Sequence, residues 1–171
     1  MKLDLTELKR MHPLLPAATA AEYAHRAAVG LERHRHVSGV VLATRFDRDR
    51  RDATLHWTSP PRGDLEQLDQ IRVTEDTAEA VALALVHTAR GWVVRRRLQR
   101  GEFADWLLHD PTDARSIALE VSGLGNGDAS RRLREKLDQA GRAIVASRGA
   151  ACVVELRLPR ATVATTTERL R

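Results

Sequence analysis

Glu79, Asp105 and Glu120 are the residues of this 171-residue chain whose types and spacing could do chemistry. Each falls on a different expected element. Glu79 lies on an amphipathic helix ending at Arg90-Gly91, Asp105 heads the run Trp106-Leu107-Leu108, and Glu120 sits inside Ile117-Ala118-Leu119-Glu120-Val121. Asp105 and Glu120 are thus set in otherwise apolar strand segments. A carboxylate there is costly to bury unless a cation or an ionic partner meets it, so the pattern asks for a metal ion. Structural roles compete for the same residues. Asp105 could accept backbone hydrogen bonds at a strand end, and Glu120 could pair with a nearby arginine in a buried bridge. Glu79 could be a solvated helix residue.

The elements that must position these residues are legible from Thr74 onward. Thr74 is a suitable N-cap, followed by Glu75 and Asp76 where carboxylates meet the helix dipole favourably. Ala78, Val81, Ala82, Leu85, Val86 and Ala89 then recur at helical spacing, and Gly91 fits a left-handed helix end. Three strands are expected over 92–98, 103–108 and 116–121, then a flexible loop at Gly123-Leu124-Gly125-Asn126-Gly127. Asp128 or Ser130 would cap the next helix, whose stripe is Leu133, Leu137, Ala140 and Ile144, with Gly149 ending it and a last strand over 152–158. The order is α-β-β-β-α-β, which predicts a mixed sheet with helices on both faces.

Upstream, Ala17 to about Arg35 reads as a helix, and Gly39–Phe46 with Ala53–Thr58 as a β-hairpin with a long loop. Ser59-Pro60-Pro61-Arg62-Gly63 breaks the chain, and a short helix is expected over 64–71. The predicted division is residues 1–63 as a helix and hairpin extension, 64–158 as the α/β core, and 159–171 as a polar tail or short helix.

This order, with an acid in the first helix, Asp at the second strand and Glu in the third, resembles the PD-(D/E)XK nuclease superfamily. It is most similar to the Holliday-junction-resolvase-like and Mrr-like restriction domains. The resemblance rests on Thr77-Ala78-Glu79-Ala80-Val81-Ala82-Leu83, Gly91-Trp92-Val93-Val94, Ala104-Asp105-Trp106-Leu107-Leu108 and Ile117-Ala118-Leu119-Glu120-Val121-Ser122. It implies a restriction-endonuclease-like αβββαβ core and phosphodiester hydrolysis with Mg²⁺ or Mn²⁺. Asp105 and Glu120 would ligate the ion and Glu79 would assist from the helix. Such a metal activates water and neutralises charge at phosphorus, and Mg²⁺ uses one or two carboxylates while keeping several waters. The family's lysine would fall at Ser122, which cannot carry that charge. Lys136 on the following helix is the only lysine in the region, so Ser122 or Lys136 stands in that role. Two readings follow: a metal-dependent nuclease, or a nuclease-like binding or assembly subunit that does not cleave.

Bulk properties agree with a polyanionic partner without requiring one. Lys and Arg number 28 against 23 Asp and Glu, a net charge of +5, and only Lys2, Lys9 and Lys136 are lysines. Arginine is the better bidentate phosphate ligand. Arg95, Arg96, Arg97 and Arg100 form the densest basic run. Arg131 and Arg132 flank the glycine loop at a helix N-terminus able to hold phosphate oxygens. The Arg95–Arg100 run reads equally as a solvated sheet rim. Aromatics make up 4% of the chain, so the core must come from Ala, Val and Leu. Cys152 is the only cysteine, which excludes an internal disulfide and a Cys-based zinc site. Neither a signal peptide nor an 18-residue apolar run is present, so no membrane partner and a cytoplasmic location are expected. The N-terminal region is expected to select substrate or to form a homodimer or protein interface.

Overall fold

Ten consecutive residues of one helix, Thr77 to Val86, are buried. A helix enclosed on all sides lies between layers, and this one fixes the architecture. The computed structural model describes residues 1–64, 68–125 and 127–166. In chain order the elements are β1 (Lys2–Asp4), α1 (Leu8–Met11), α2 (Ala17–Arg33), β2 (Val40–Phe46), β3 (Asp49–His56) and α3 (Gln70–Arg90). They continue with β4 (Val93–Arg97), β5 (Trp106–His109), β6 (Ser116–Leu124), α4 (Ala129–Ala140), β7 (Arg148–Glu155) and β8 (Arg160–Thr165). The protein is mixed α/β. Among the described residues the strands form one eight-stranded sheet in the order β1-β3-β2-β8-β7-β6-β5-β4. No helix among them is long and apolar enough to cross a membrane.

The stretch from α3 to β7 follows the expected α-β-β-β-α-β order. β4, β5 and β6 are successive antiparallel neighbours, and β7 returns parallel to β6. α3 covers one face of this half-sheet, backed by α2, while α4 covers the other. The main core lies on the α3 side and includes Leu83, Leu85, Trp106, Leu119 and Cys152. A smaller one under α4 joins Leu133 to Ala151 and Val153.

Several boundaries move for identifiable reasons. Asp69, not Thr74, caps α3 by accepting the Arg72 N–H at 2.9 Å. Thr74 instead lies within the helix and donates its hydroxyl back to Gln70 O. The hairpin loop is short, only Asp47 and Arg48, with Asp47 at φ 54°. The charged run Arg50-Arg51-Asp52 hid the first half of β3, a strand expected to begin at Ala53, because those residues are exposed within the strand. Of the short helix expected over 64–71, residues 65–67 lie outside the described residues, and Gln70 and Ile71 belong to α3. α4 stops at Ala140, so Ile144 is 81% exposed rather than part of the apolar stripe. Gly149 lies in β7, not at a helix end.

The largest correction concerns residues 159–171. Arg160–Thr165 is neither tail nor helix but β8, a central strand with Ala161, Thr162 and Val163 buried. It pairs antiparallel with β7 and parallel with β2. The helix and hairpin of residues 1–63 are therefore joined to the rest through one continuous sheet. Residues 167–171 lie outside the described residues.

Two contacts lock α3 into place. His12 is fully buried; its Nδ1 accepts the Val94 N–H and its Nε2 faces Leu83 O, each at 3.2 Å. Burial holds this imidazole near pKa 4, so it stays neutral while tying α3 to β4. On the outer side, α2 approaches α3 at Gly30, where an added Cβ would lie 2.1 Å from Thr77 Oγ1 and 3.0 Å from Val73 Cγ1. Gly30→Ala is therefore expected to lower stability by about 1–3 kcal/mol in urea unfolding, through overpacking. Adding Thr77→Ala should recover part of that loss, because it removes the nearest atom.

Candidate functional site

Asp105 and Glu120 become neighbours through strand register. Trp106 of β5 pairs with Leu119 of β6, and the Asp105 N–H donates to Leu119 O at 3.0 Å. This register continues to set Asp105 beside Glu120. Leu119 and Val121 face the α3-side core, so the alternation of a strand turns Glu120 to the opposite face, toward α4. There Lys136 Nζ donates to Glu120 Oε1 at 2.5 Å. The glycine at Gly123 lets the end of β6 run under the start of α3, since an added Cβ would lie 2.5 Å from Thr74 O.

The result is a pocket of about 300 Å³ lined by Asp105, Glu120, Ser122, Lys136 and Arg132, with Glu75, Glu79 and Arg97 on the α3 side. Its electrostatics are unbalanced. Glu120 is only 3% exposed, and its Oε2 is buried without a hydrogen-bond partner. Asp105 uses one oxygen, Oδ2, to accept the Val121 N–H at 2.8 Å. Burial and the adjacent Glu120 charge push the Asp105 carboxyl up to about 6, against the pull of Lys136 and Arg97. Like charges directly opposite across strands destabilise a sheet, and one ammonium faces this pair. Two hard carboxylates, one with an oxygen left unsatisfied in a polar pocket, suit a divalent cation that takes oxygen ligands.

Glu79 does not join them as a free ligand. Its Oε2 accepts from Tyr23 Oη at 2.8 Å, Arg97 Nη1 at 2.8 Å and Trp106 Nε1 at 2.9 Å, and its Oε1 from Arg97 Nη2 at 3.0 Å. Burial pushes its carboxyl upward even so, with Arg97 opposing. The solvated expectation for Glu79 is corrected: donors from three other elements enclose it, and both of its carboxylate oxygens are engaged by groups of this chain. Among the described residues no three His, Cys, Asp or Glu side chains come together as a metal cluster. Glu120 pairs with a lysine rather than the arginine that the structural reading anticipated. For Asp105 that reading holds in part, since it does accept a backbone N–H.

The basic residues divide. A bulge between Val94 and Arg96 shifts the register of β4. Alternation therefore fails, and Arg97 turns inward to Glu79. Arg96 is held by Glu102 at 2.6 and 2.8 Å, whereas Arg95 and Arg100 are exposed. Arg131 pairs with Glu135 at 2.9 Å, and Arg132 lies 3.7 Å from the same carboxylate while lining the pocket. The first N–H groups of α4 are not free for phosphate, because Asp128 Oδ1 accepts from Ser130 and Arg131. Glu75 is the pocket residue that sequence reasoning passed over. It sits one helical turn before Glu79, and its role in the first turn of the expected helix masked that relation. The chain matches no family model, no curated protein and no solved structure.

The raised Asp105 pKa has a defined sign. Its folded value of about 6 exceeds the ordinary 3.8, so the ionised form is disfavoured in the fold. That penalty is absent below about pH 3.8, grows between 3.8 and 6, and is complete above 6. Asp105→Asn keeps an acceptor for Val121 N–H and removes the charge. In metal-free buffer it is expected to stabilise the protein by about 1–3 kcal/mol at pH 8 and by little at pH 3.5, as read by denaturant unfolding.

Proposed function

We propose that the chain is a nucleic-acid-binding protein of the PD-(D/E)XK type that hydrolyses phosphodiester bonds with Mg²⁺ or Mn²⁺. The observation that carries this reading is the meeting of Lys136 with Glu120 beside Asp105. The motif's lysine is missing at Ser122, and the only lysine in the region reaches the same pocket from the next helix. The order of elements from α3 to β7, with three antiparallel strands and a parallel return, supports the restriction-endonuclease-like core.

Asp105 and Glu120 would hold the ion, which supplies Lewis-acid activation of water and charge neutralisation at phosphorus. The chain's own groups act around it. Lys136 brings a positive charge to the scissile phosphate and orients the attacking water, with Glu120 fixing the ammonium. Ser122, on the same strand face as Glu120, offers a hydroxyl to the same water or phosphate but no charge. Arg132, one turn before Lys136 on α4, contacts a neighbouring phosphate oxygen. Arg97 is held by Glu79 and contributes field at the α3 wall rather than a free hand. Glu79 acts as a positioning residue through Arg97 and Trp106.

The test is digestion of single- and double-stranded DNA and RNA with and without Mg²⁺ or Mn²⁺. Metal-dependent product is expected on at least one substrate, and none in EDTA. Asp105→Ala and Lys136→Ala should each lose about 10²-fold or more. Absence of metal-dependent cleavage on every substrate would reject hydrolysis and leave a binding or assembly subunit whose Lys136–Glu120 pair is structural.

A further inference from the structure

A larger hollow, about 410 Å³, lies on the other flank of α4, away from the carboxylate pocket. Lys136 and Arg132 of α4 face the carboxylates, whereas Ala129, Ser130 and Leu133 face this trough. Its floor is the part of the sheet where β3, β2 and β8 lie side by side. Arg45 of β2 is directly opposite Arg50 of β3 and beside Thr162 of β8. Ala43, two residues before Arg45, is beside Arg160. Side chains two apart on a strand share a face, so Arg45, Arg50 and Arg160 rise from one face of three adjacent strands. All three line the trough.

These charges are poorly compensated. Among the described residues Glu155 is the one carboxylate lining the trough, and it reaches Arg160 only at 3.6 Å. The Arg45 Nε is buried without a hydrogen-bond partner. Like charges directly opposite across strands destabilise a sheet, and a buried unsatisfied guanidinium N–H adds to the cost. An anion seated between these arginines removes both penalties, and the planar guanidinium fork fits phosphate oxygens bidentately.

We propose that this trough is a phosphate-binding site for the backbone of a nucleic-acid strand. Neighbouring strands lie roughly 4.8 Å apart, so the arginine row spans about 10 Å, enough for more than one phosphate. Among the described residues no aromatic side chain lines the trough, so it lacks the stacking platform a base-recognising nucleotide pocket would use. Contact is therefore to the backbone and independent of sequence. The choice of nucleic acid as the polyanion rests on the function proposed above; the poorly compensated arginine row does not.

The experiment is fluorescence anisotropy of a labelled 20-nucleotide single strand and the matching duplex, in EDTA so that cleavage plays no part. Wild type is compared with Arg50→Thr and with Arg45→Gln/Arg50→Gln across a salt series. The double variant should bind about tenfold or more weakly at low salt. Its log–log salt slope should fall by about 1–2, near 0.7–0.9 per lost phosphate contact. Both variants should unfold at the same or higher denaturant concentration than wild type, because repulsion is relieved. Equal affinity and slope in wild type and the folded variants would overturn the proposal while leaving hydrolysis at Asp105 and Glu120 untouched. Calorimetric binding of inorganic pyrophosphate without any binding of either strand would also overturn it, in favour of a free-phosphate site. Arginine-dependent strand binding by a protein that never cleaves would uphold it and reject the hydrolytic reading.

Discussion

The ion pair between Glu79 and Arg97 is the interaction on which the arrangement of this protein depends. It gathers Tyr23 from α2, Glu79 from α3, Arg97 from β4 and Trp106 from β5 around one buried carboxylate. A buried charge of this kind is tolerable only when its hydrogen bonds are filled, and here the carboxylate accepts four. The pair fastens α3 and α2 to the outer strands and so fixes where β5 begins. Asp105 is the residue immediately before Trp106, which leaves it at the edge of the carboxylate pocket. By taking Arg97 for itself, Glu79 also leaves Lys136 as the cation in contact with Glu120.

Much of this was legible in the sequence because the signals were periodic and local. The apolar spacing in α3, the left-handed Gly91 and the apolar segments around Asp105 and Glu120 all led to the observed order. What was hidden was set by tertiary context. The Thr-rich, small-residue composition of β8 suggested a tail, yet Thr and Val suit strands and burial came from neighbours on both sides. The β4 bulge broke the alternation on which the arginine assignment relied, and nothing local announces such an extra residue. Glu79 was read as a free acid because its enclosing donors come from positions distant in the chain. Lys136 was identifiable only by elimination, whereas its approach to Glu120 depends on how α4 packs over β6 and β7.

The fold places like charges together on both sides of α4. Asp105 and Glu120 are adjacent carboxylates served by one ammonium, and Arg45 and Arg50 are directly opposed in register with no acidic partner among the described residues. A sheet selected only for stability would not pair residues this way, since uncompensated like charges across strands are unfavourable. Local conflict of this kind, within elements otherwise consistent with the fold, is what functional sites present. On the readings proposed above, the two patches would take ligands of opposite sign, a cation in one and phosphate in the other. α4 separates them and contributes residues to each.

The central claim is that Asp105 and Glu120 together form a divalent-cation site, and titration calorimetry with Mn²⁺ at pH 7.5 addresses it most directly. The account predicts saturable binding of one ion per chain in wild type, abolished by Asp105→Asn and by Glu120→Gln, with both variants still folded. Undiminished Mn²⁺ binding by those variants, or no binding by wild type at millimolar Mn²⁺, would contradict it.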